Sequence, residues 1–408
     1  SKYSSWDSLI EGYIKCGEFR HAFTLYRICE HSLFVDPYVL VGLLKACSML
    51  KDAEVGNIIC QNVVKSRLLQ EDVFIGCALV DMYSKLGLLE DAQNVLQSMP
   101  DRNIVVWNAM IGGYVNHGDL EETLMLLQEL ESTDLELNVV TYLYMIIVCT
   151  RKQSLDHGWC VHGLITTEGF ESNLLICNAL INMYLKCQSF NDAKNVYNGM
   201  PIHDAVTWNA MIAAACSHPG QRKKGLVLFQ KMQESGLCPN QITYVCLLNA
   251  FVDPSDLFHG QLVHSLIGEG DLTLTSCLSN KLLKMYVKCG SMEAAERMFN
   301  AVPNPDLMAW SVIISGYVQH ALEDQALLFC EKMFQRSVTP DAVIFMCMLR
   351  ACSHGGAVHQ GRLIHFYILQ SGFISNKRIA NALLDMYINC NSLKDAYRLF
   401  AIIPIKDE

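Results

Sequence analysis

The strongest constraint on this chain is that it repeats itself. Trp6, Trp107, Trp208 and Trp310 open the similar phrases SWDSLIEGYIKCG, VWNAMIGGYVNHG, TWNAMIAAACSHP and AWSVIISGYVQHA, and they stand 101, 101 and 102 residues apart. An apolar residue followed by proline recurs in step at Pro100, Pro201, Pro303 and Pro404. Each long period divides into three. A Trp phrase comes first. A middle phrase follows, GLLKACSML, MIIVCTRKQ, CLLNAFVDP or CMLRACSHG, and then a third, ALVDMYSKLG, ALINMYLKCQ, KLLKMYVKCG or ALLDMYINCN. Twelve repeats result: 3–36, 37–72, 73–103, 104–138, 139–173, 174–204, 205–240, 241–275, 276–306, 307–341, 342–376 and 377–407. They group into four triplets, 3–103, 104–204, 205–306 and 307–407, with only residues 1–2 and 408 outside one continuous array. Fixed periods of this length are the mark of repeat architectures.

Within each repeat, two apolar-periodic segments flank a polar or glycine break. Ala78, Leu79, Met82 and Tyr83 are followed by Leu89, Ala92, Val95 and Leu96. Spacings of three and four residues put such side chains on one face of a helix. Two short helices cannot enclose a core alone, but stacked pairs share one. The fold class is therefore all-α, a right-handed superhelical α-solenoid of helix-turn-helix repeats. Its low proline content, 10 residues in 408, agrees. An apolar share of 51% excludes disorder, and no uninterrupted apolar run of spanning length occurs, so no membrane partner is expected.

The net charge is −10, which argues against non-specific binding to nucleic acid but leaves room for a local basic stripe. The 18 cysteines contain no C-x-x-C pair. Cys16, Cys187, Cys289 and Cys390 share repeat position 14, and Cys47, Cys149 and Cys352 share position 11. One thiol per repeat is a packing pattern rather than a ligand set, so neither metal nor other cofactor is expected. Walker, Rossmann, G-x-S-x-G and zinc-deaminase signatures are all absent, and no enzyme activity is expected of this chain. It begins Ser1, Lys2, Tyr3 with neither a signal nor a transit sequence, which leads to the expectation of a fragment or processed form.

Trp107-Asn108-Ala109-Met110-Ile111, Leu44-Lys45-Ala46-Cys47-Ser48 and Asn381-Ala382-Leu383-Leu384-Asp385-Met386-Tyr387, set in a three-beat order over residues 3–407, resemble the pentatricopeptide repeat family. More narrowly they resemble its plant PLS-type subclass, in which P, L and S repeats alternate. The resemblance implies single-stranded RNA binding at one base per repeat. In that family the fifth and last residues of a repeat read the base and the second packs against it.

Geometry gives a partial check. At 100° per residue, positions 2, 5, 9 and 13 of the first helix fall within an arc of about 80°, whereas position 4, the Trp, points away and reads as a packing residue. Lys15, Lys85, Lys186 and Lys288 at position 13, with Lys45 and Arg350 at position 9, share the reading face and are candidate phosphate contacts. Position 2 is mostly apolar (Tyr38, Phe74, Val105, Val140, Leu175, Val206, Ile242, Met308 and Val343), a choice suited to sandwiching a base, with Ser4, Cys277 and Arg378 as exceptions.

The candidate reading pairs follow the repeat type. In the Trp repeats they are Asp7 with Asp36, Asn108 with Asn138, Asn209 with Asn240 and Ser311 with Asp341. In the third repeats they are Cys77 with Asn103, Asn178 with Asp204, Asn280 with Asp306 and Asn381 with Asp407. In the middle repeats the fifth residue is aliphatic (Val41, Leu143, Val245, Met346), paired with Asp72, Asn173, Thr275 and Asn376. An amide offers both donor and acceptor to a base edge. An aliphatic group offers neither, so the middle repeats should discriminate poorly. The resemblance assigns pyrimidine to Asn–Asn, uracil to Asn–Asp and guanine to Ser–Asp. Asp7–Asp36 and Cys77–Asn103 match no pair of its code. From repeat 4 to repeat 12 the expected site is pyrimidine, any, uracil, pyrimidine, any, uracil, guanine, any, uracil.

The resemblance further implies a role in choosing sites for organellar cytidine-to-uridine editing, in a mitochondrion or chloroplast. RNA stabilisation or splicing, and a tetratricopeptide-like scaffold for proteins, are the alternatives. Extension motifs and a deaminase tail often follow in that subclass. The chain stops at Glu408, so the expectation is that such a tail was trimmed or is supplied by another protein, with editing cofactor proteins docking on the middle repeats.

Overall fold

The computed structural model describes residues 3–29, 36–217, 222–269 and 274–402. All regular structure among them is helical. The first helices begin at Tyr3, Pro37, Val73, Ile104, Val139, Leu174, Ala205, Gln241, Ser276, Leu307, Ala342 and Lys377, the opening residue of each repeat. Outside repeat 8 a shorter or equal second helix follows, as Leu120–Glu131 follows Ile104–His117. The chain divides into two compact units, Ser1–His203 and Asp204–Glu408, the first ending one residue short of the end of repeat 6.

Local chemistry explains where helices start and stop. The last residue of one repeat caps the first helix of the next. The Asn103 side chain accepts from the Val105 and Val106 amides, and Asp341 accepts from Ile344. Such caps satisfy backbone N–H groups that have no carbonyl partner, each contributing about 1 kcal/mol. The same helices end in a left-handed residue: Gly118 lies at φ 85° and its N–H closes back on Tyr114 and Val115. Only a residue without Cβ takes that conformation freely. Between middle and third repeats an extra turn is inserted, at Leu68–Glu71, Phe170–Ser172 and Phe373–Ser375. Repeat 8 differs. Its first helix, Gln241–Leu248, is only 8 residues long. Pro254 opens a short 3-10 turn there, and Asp256 accepts from the Val252 and Asp253 amides at 3.2 Å.

Each unit is held by contacts that recur with the triplet. In the first unit Gly158 lies so close to Met183 that a Cβ there would stand 2.6 Å from its sulfur, and Gly56 abuts Met82 in the same way. In the second unit Gly260 meets Met285 and Gly361 meets Met386, at 2.5 and 2.6 Å. All four methionines are fully buried. The glycines let a second helix approach the next repeat's first helix closely. One turn further along, His162 shares a hydrogen bond with the Tyr184 hydroxyl at 2.8 Å, His264 with Tyr286 at 2.8 Å and His365 with Tyr387 at 2.9 Å. Burial lowers all three histidines from their ordinary 6.5. Two other histidines tie helix ends together: His117 donates to the Ser84 carbonyl at 3.0 Å and His320 to the Val287 carbonyl at 2.8 Å.

Trp107, Trp208 and Trp310 are buried, as position 4 predicts. Trp6 departs from the expectation and is 43% exposed. Its counterpart Trp310 packs edge-on against Phe299 of the preceding repeat, at 4.7 Å between ring centroids. Burial pushes the thiols of Cys47 and Cys352 up to about 12 and those of Cys149 and Cys289 up to about 11, which suits packing groups. Among the described residues the cysteines are free, and no cluster of three or more His, Cys, Asp or Glu could hold a metal ion.

Candidate nucleic-acid interface

The first helices present one face that is apolar yet uncovered. Position 2 is exposed throughout: Tyr38 at 88%, Phe74 at 75%, and Val105, Val140, Leu175, Val206, Ile242, Met308 and Val343 between 45 and 63%. Cys277 and Arg378, which stand there in repeats 9 and 12, are exposed too. Ser4 lies among side chains outside the described set. An apolar group repeated at one register and left largely open buries little on folding.

Beside it lie the fifth residues, and three of them bond directly to the last residue of their own repeat. Asn108 Nδ2 donates to Asn138 Oδ1 at 3.0 Å, and Asn209 Nδ2 to Asn240 Oδ1 at 3.2 Å. Asn280 Nδ2 reaches both carboxylate oxygens of Asp306, at 3.0 and 2.9 Å. The Cys77 thiol lies 3.7 Å from Asn103 Oδ1, and burial raises its pKa, only partly offset by that contact. Asp7 and Asp36 form no such bond among the described residues, and both are carboxylates that repel. Ser311, one atom shorter than Asn, does not reach Asp341. Asn178 belongs to the first unit and Asp204 opens the second, where it accepts from the Thr207 amide at 2.8 Å. Asn381 is exposed, and Asp407 lies outside the described residues.

The sequence reading missed the second task of the last residue. Asn138 Oδ1 also accepts from the Val140 and Thr141 amides, at 3.0 and 3.2 Å, and Asp306 Oδ1 from Ala309 at 2.8 Å. The backbone N–H cannot turn around, so it fixes which end of the Asn138 amide points inward. Its Nδ2 then faces the open side with no protein partner among the described residues. Asp306 instead offers an acceptor on that side. The cap therefore determines which side-chain atoms Asn138 and Asp306 leave available. The signal was present in sequence as Asn, Asp or Thr immediately before the first helix of every repeat after repeat 1.

In the middle repeats Val41, Leu143 and Val245 are half-buried and Met346 is 37% exposed. Their last residues act as caps: Asp72 accepts from Phe74, Asn173 from Leu175, Thr275 from Leu278 and Asn376 from Arg378. Met346 lines a concavity with Ser315, Arg350, Asp385 and Asn389.

The position 13 cations divide in two. Lys15 is paired with Glu11 at 2.6 Å and Lys85 with Asp81 at 2.7 Å, both on their own helix. Position 9 carries those carboxylates, so the stripe is weaker there than the lysines alone imply. Lys186 and Lys288 are exposed and form no ion pair among the described residues. Lys284, at position 9 of repeat 9, is a further exposed cation on the same face that counting positions would have found.

A stack of helix pairs with an exposed position 2 in each described case, and a polar pair in the Trp and third repeats, defines a helical-repeat protein. Family comparison agrees. The PPR repeat family model matches residues 102–151 and 203–253, and the PPR repeat model matches 4–30, 77–104, 175–203, 279–302 and 308–338, together more than half of the chain. The chain belongs to the PPR repeat family. It is 31% identical over 404 residues to a pentatricopeptide repeat-containing protein of Arabidopsis thaliana, covering 98% of this chain and 58% of that one. A second Arabidopsis thaliana relative, whose name marks it mitochondrial, is 32% identical over 405 residues, again 98% and 58%. The chain thus spans under two thirds of the length of these relatives. Among solved structures it is similar in fold to PPR10 in complex with an 18-nt psaJ RNA element, with TM-score 0.64 and 14% identity over 89% of this chain and 59% of that one. PPR10 from maize gives TM-score 0.52 and 18% identity, covering 97% and 68%.

Proposed function

We propose that this chain binds single-stranded RNA and reads it one base per repeat. The observation that carries the reading is the hydrogen bond between fifth and last residues, seen at Asn108–Asn138, Asn209–Asn240 and Asn280–Asp306, beside an exposed position 2 that is apolar at Val105 and Val206 and a cysteine at Cys277. The apolar residue stacks on a base face and the pair meets its edge. Orientation by the cap supplies the chemistry. Asp306 presents an acceptor, which matches the N3–H of uracil. Asn138 and Asn240 present an amide donor, which matches the N3 acceptor of cytosine and narrows the pyrimidine reading of repeats 4 and 7. Asn178 with Asp204 and Asn381 with Asp407 are assigned to uracil, and Ser311 with Asp341 to guanine. Lys186, Lys284 and Lys288 supply phosphate contacts, with Lys15 and Lys85 contributing less.

The alternation of repeat types supports the PLS-type subclass, and with it a role as site-recognition factor for organellar cytidine-to-uridine editing. The deaminase would act from another chain or another part of the protein. A relative named mitochondrial supports an organellar address. The aliphatic fifth residues and the concavity at Met346 support docking of a protein partner on the middle repeats.

Selection of bound sequences from a random single-stranded RNA pool tests the reading. Enrichment of uracil opposite repeat 9 and of cytosine opposite repeats 4 and 7 is expected. Recovery of no motif, with weak binding that vanishes as salt rises, would refute it.

A further inference from the structure

The pairs in repeats 4 and 7 are not pairs but triads. Thr141, at position 3 of repeat 5, lies with its hydroxyl 2.9 Å from Asn108 Oδ1. Thr243, at position 3 of repeat 8, lies 2.7 Å from Asn209 Oδ1. Both threonines are fully buried, and the two asparagines are only 8% and 7% exposed. A hydroxyl has one proton to give. In repeat 8 the Thr243 oxygen accepts from the Asn240 backbone N–H at 3.1 Å, and its proton goes to Asn209 Oδ1 at 2.7 Å, nearer than Asn240 Oδ1 at 3.1 Å.

The result is a closed circuit whose direction is set by the backbone. The Thr243 amide fixes Asn240 Oδ1 as an acceptor, at 3.1 Å. That oxygen draws Asn209 Nδ2, at 3.2 Å. Asn209 Oδ1 must then face the Thr243 hydroxyl. Turning the amide over would bring two oxygens together and abandon the hydroxyl, so one orientation survives. Repeat 9 is the contrast: position 3 of the repeat that follows is Ala309, and Asn280 is held by Asp306 alone.

We infer that Thr141 and Thr243 are positioning residues for base recognition: each acts through the Asn of the preceding repeat and locks the amide that faces the nucleotide. The inference rests on the base-reading function proposed above. A buried side-chain oxygen left without a donor is costly, so removing the hydroxyl frees Asn108 to swing out. Repeats with a threonine at that place should discriminate more sharply than repeat 9.

The test uses the 408-residue chain. Thr141→Val and Thr243→Val keep shape and lose the hydroxyl, and Thr141→Ser restores it. Binding is measured to RNAs that differ only at the nucleotide opposite repeat 4, 7 or 9. Thr141→Val should reduce discrimination opposite repeat 4 by about fivefold, the worth of one hydrogen bond, and leave repeats 7 and 9 unchanged. Thr243→Val should do the same at repeat 7 only, and Thr141→Ser should recover most of the loss. Unchanged discrimination in both valine variants would overturn the inference while leaving base reading intact. An equal loss at every nucleotide would also overturn it, by revealing a general packing role. A parent chain with no base preference opposite repeats 4 and 7 would overturn the base-reading function and this inference together.

Discussion

Gly158 and Gly163 lie in one helix, Leu155–Thr167, and should respond to alanine in opposite directions. Alanine is worth up to about 1 kcal/mol over glycine inside a helix, through lost backbone entropy in the unfolded chain. At Gly163 nothing stands within 4 Å of an added Cβ, so that gain is realised in full. At Gly158 the Cβ would stand 2.6 Å from Met183 Sδ and 2.8 Å from Cε. Those atoms are the flexible end of a side chain, but Met183 is fully buried, so its end must repack against its neighbours. Overpacking of this kind costs about 1–3 kcal/mol, more than the propensity gain at all but its lower end. The net expectation is a loss of about 1 kcal/mol for Gly158→Ala and a gain of about 0.5–1 kcal/mol for Gly163→Ala. Urea melts followed by circular dichroism, with hydrogen exchange on this helix, give the comparison. The local readout matters because long repeat arrays need not melt as one unit. Equal shifts of the same sign for the two variants would refute the close-approach argument.

Phe74→Ala should weaken RNA binding by about 1–3 kcal/mol, as lost base stacking does, without moving the melting midpoint, because the ring is 75% exposed. Equilibrium binding beside a thermal melt separates the two effects. Asp306→Asn keeps a helix cap but exchanges an outward acceptor for a donor, so preference opposite repeat 9 should move from uracil to cytosine in competition binding. Stability should fall on acidification. His162, His264 and His365 are lowered from 6.5 in the folded chain, so nothing is lost while both states are neutral. As pH drops below 6.5 the unfolded chain takes up protons that the folded one resists, until the lowered folded values are passed. Replacing all three by Gln should flatten the dependence of the urea midpoint between about pH 7.5 and about pH 5.5.

Periodicity made the helices legible because burial follows faces, and faces follow spacing. It put Trp107 and Trp310 inward and Val105 and Met308 outward, where the structure has them. It failed where two residues far apart in sequence decide the outcome. Nothing in the sequence marks Thr141, since its partner Asn108 is a repeat away. Lys85 read as a free cation until Asp81 was seen one turn behind it. Gly158 carried no message without Met183. Trp6 shared the motif of its buried counterparts but not their neighbours. A repeat motif specifies what a residue can do, and the adjoining repeat determines whether it does.

In the proposed base reading, the last residue of a repeat both holds the next helix, as Asn103, Asn138 and Asp306 do, and meets the base with the same short side chain. Only residue types that cap a helix are admissible there, so the reading alphabet is restricted by folding before any base is met. Asn and Asp cap almost equally well. An exchange between them changes the message at one letter while leaving the fold untouched, whereas Ala or Leu would lose the helix start along with the letter. Retargeting such a chain is therefore open in small, stability-neutral steps along one axis and closed along most others.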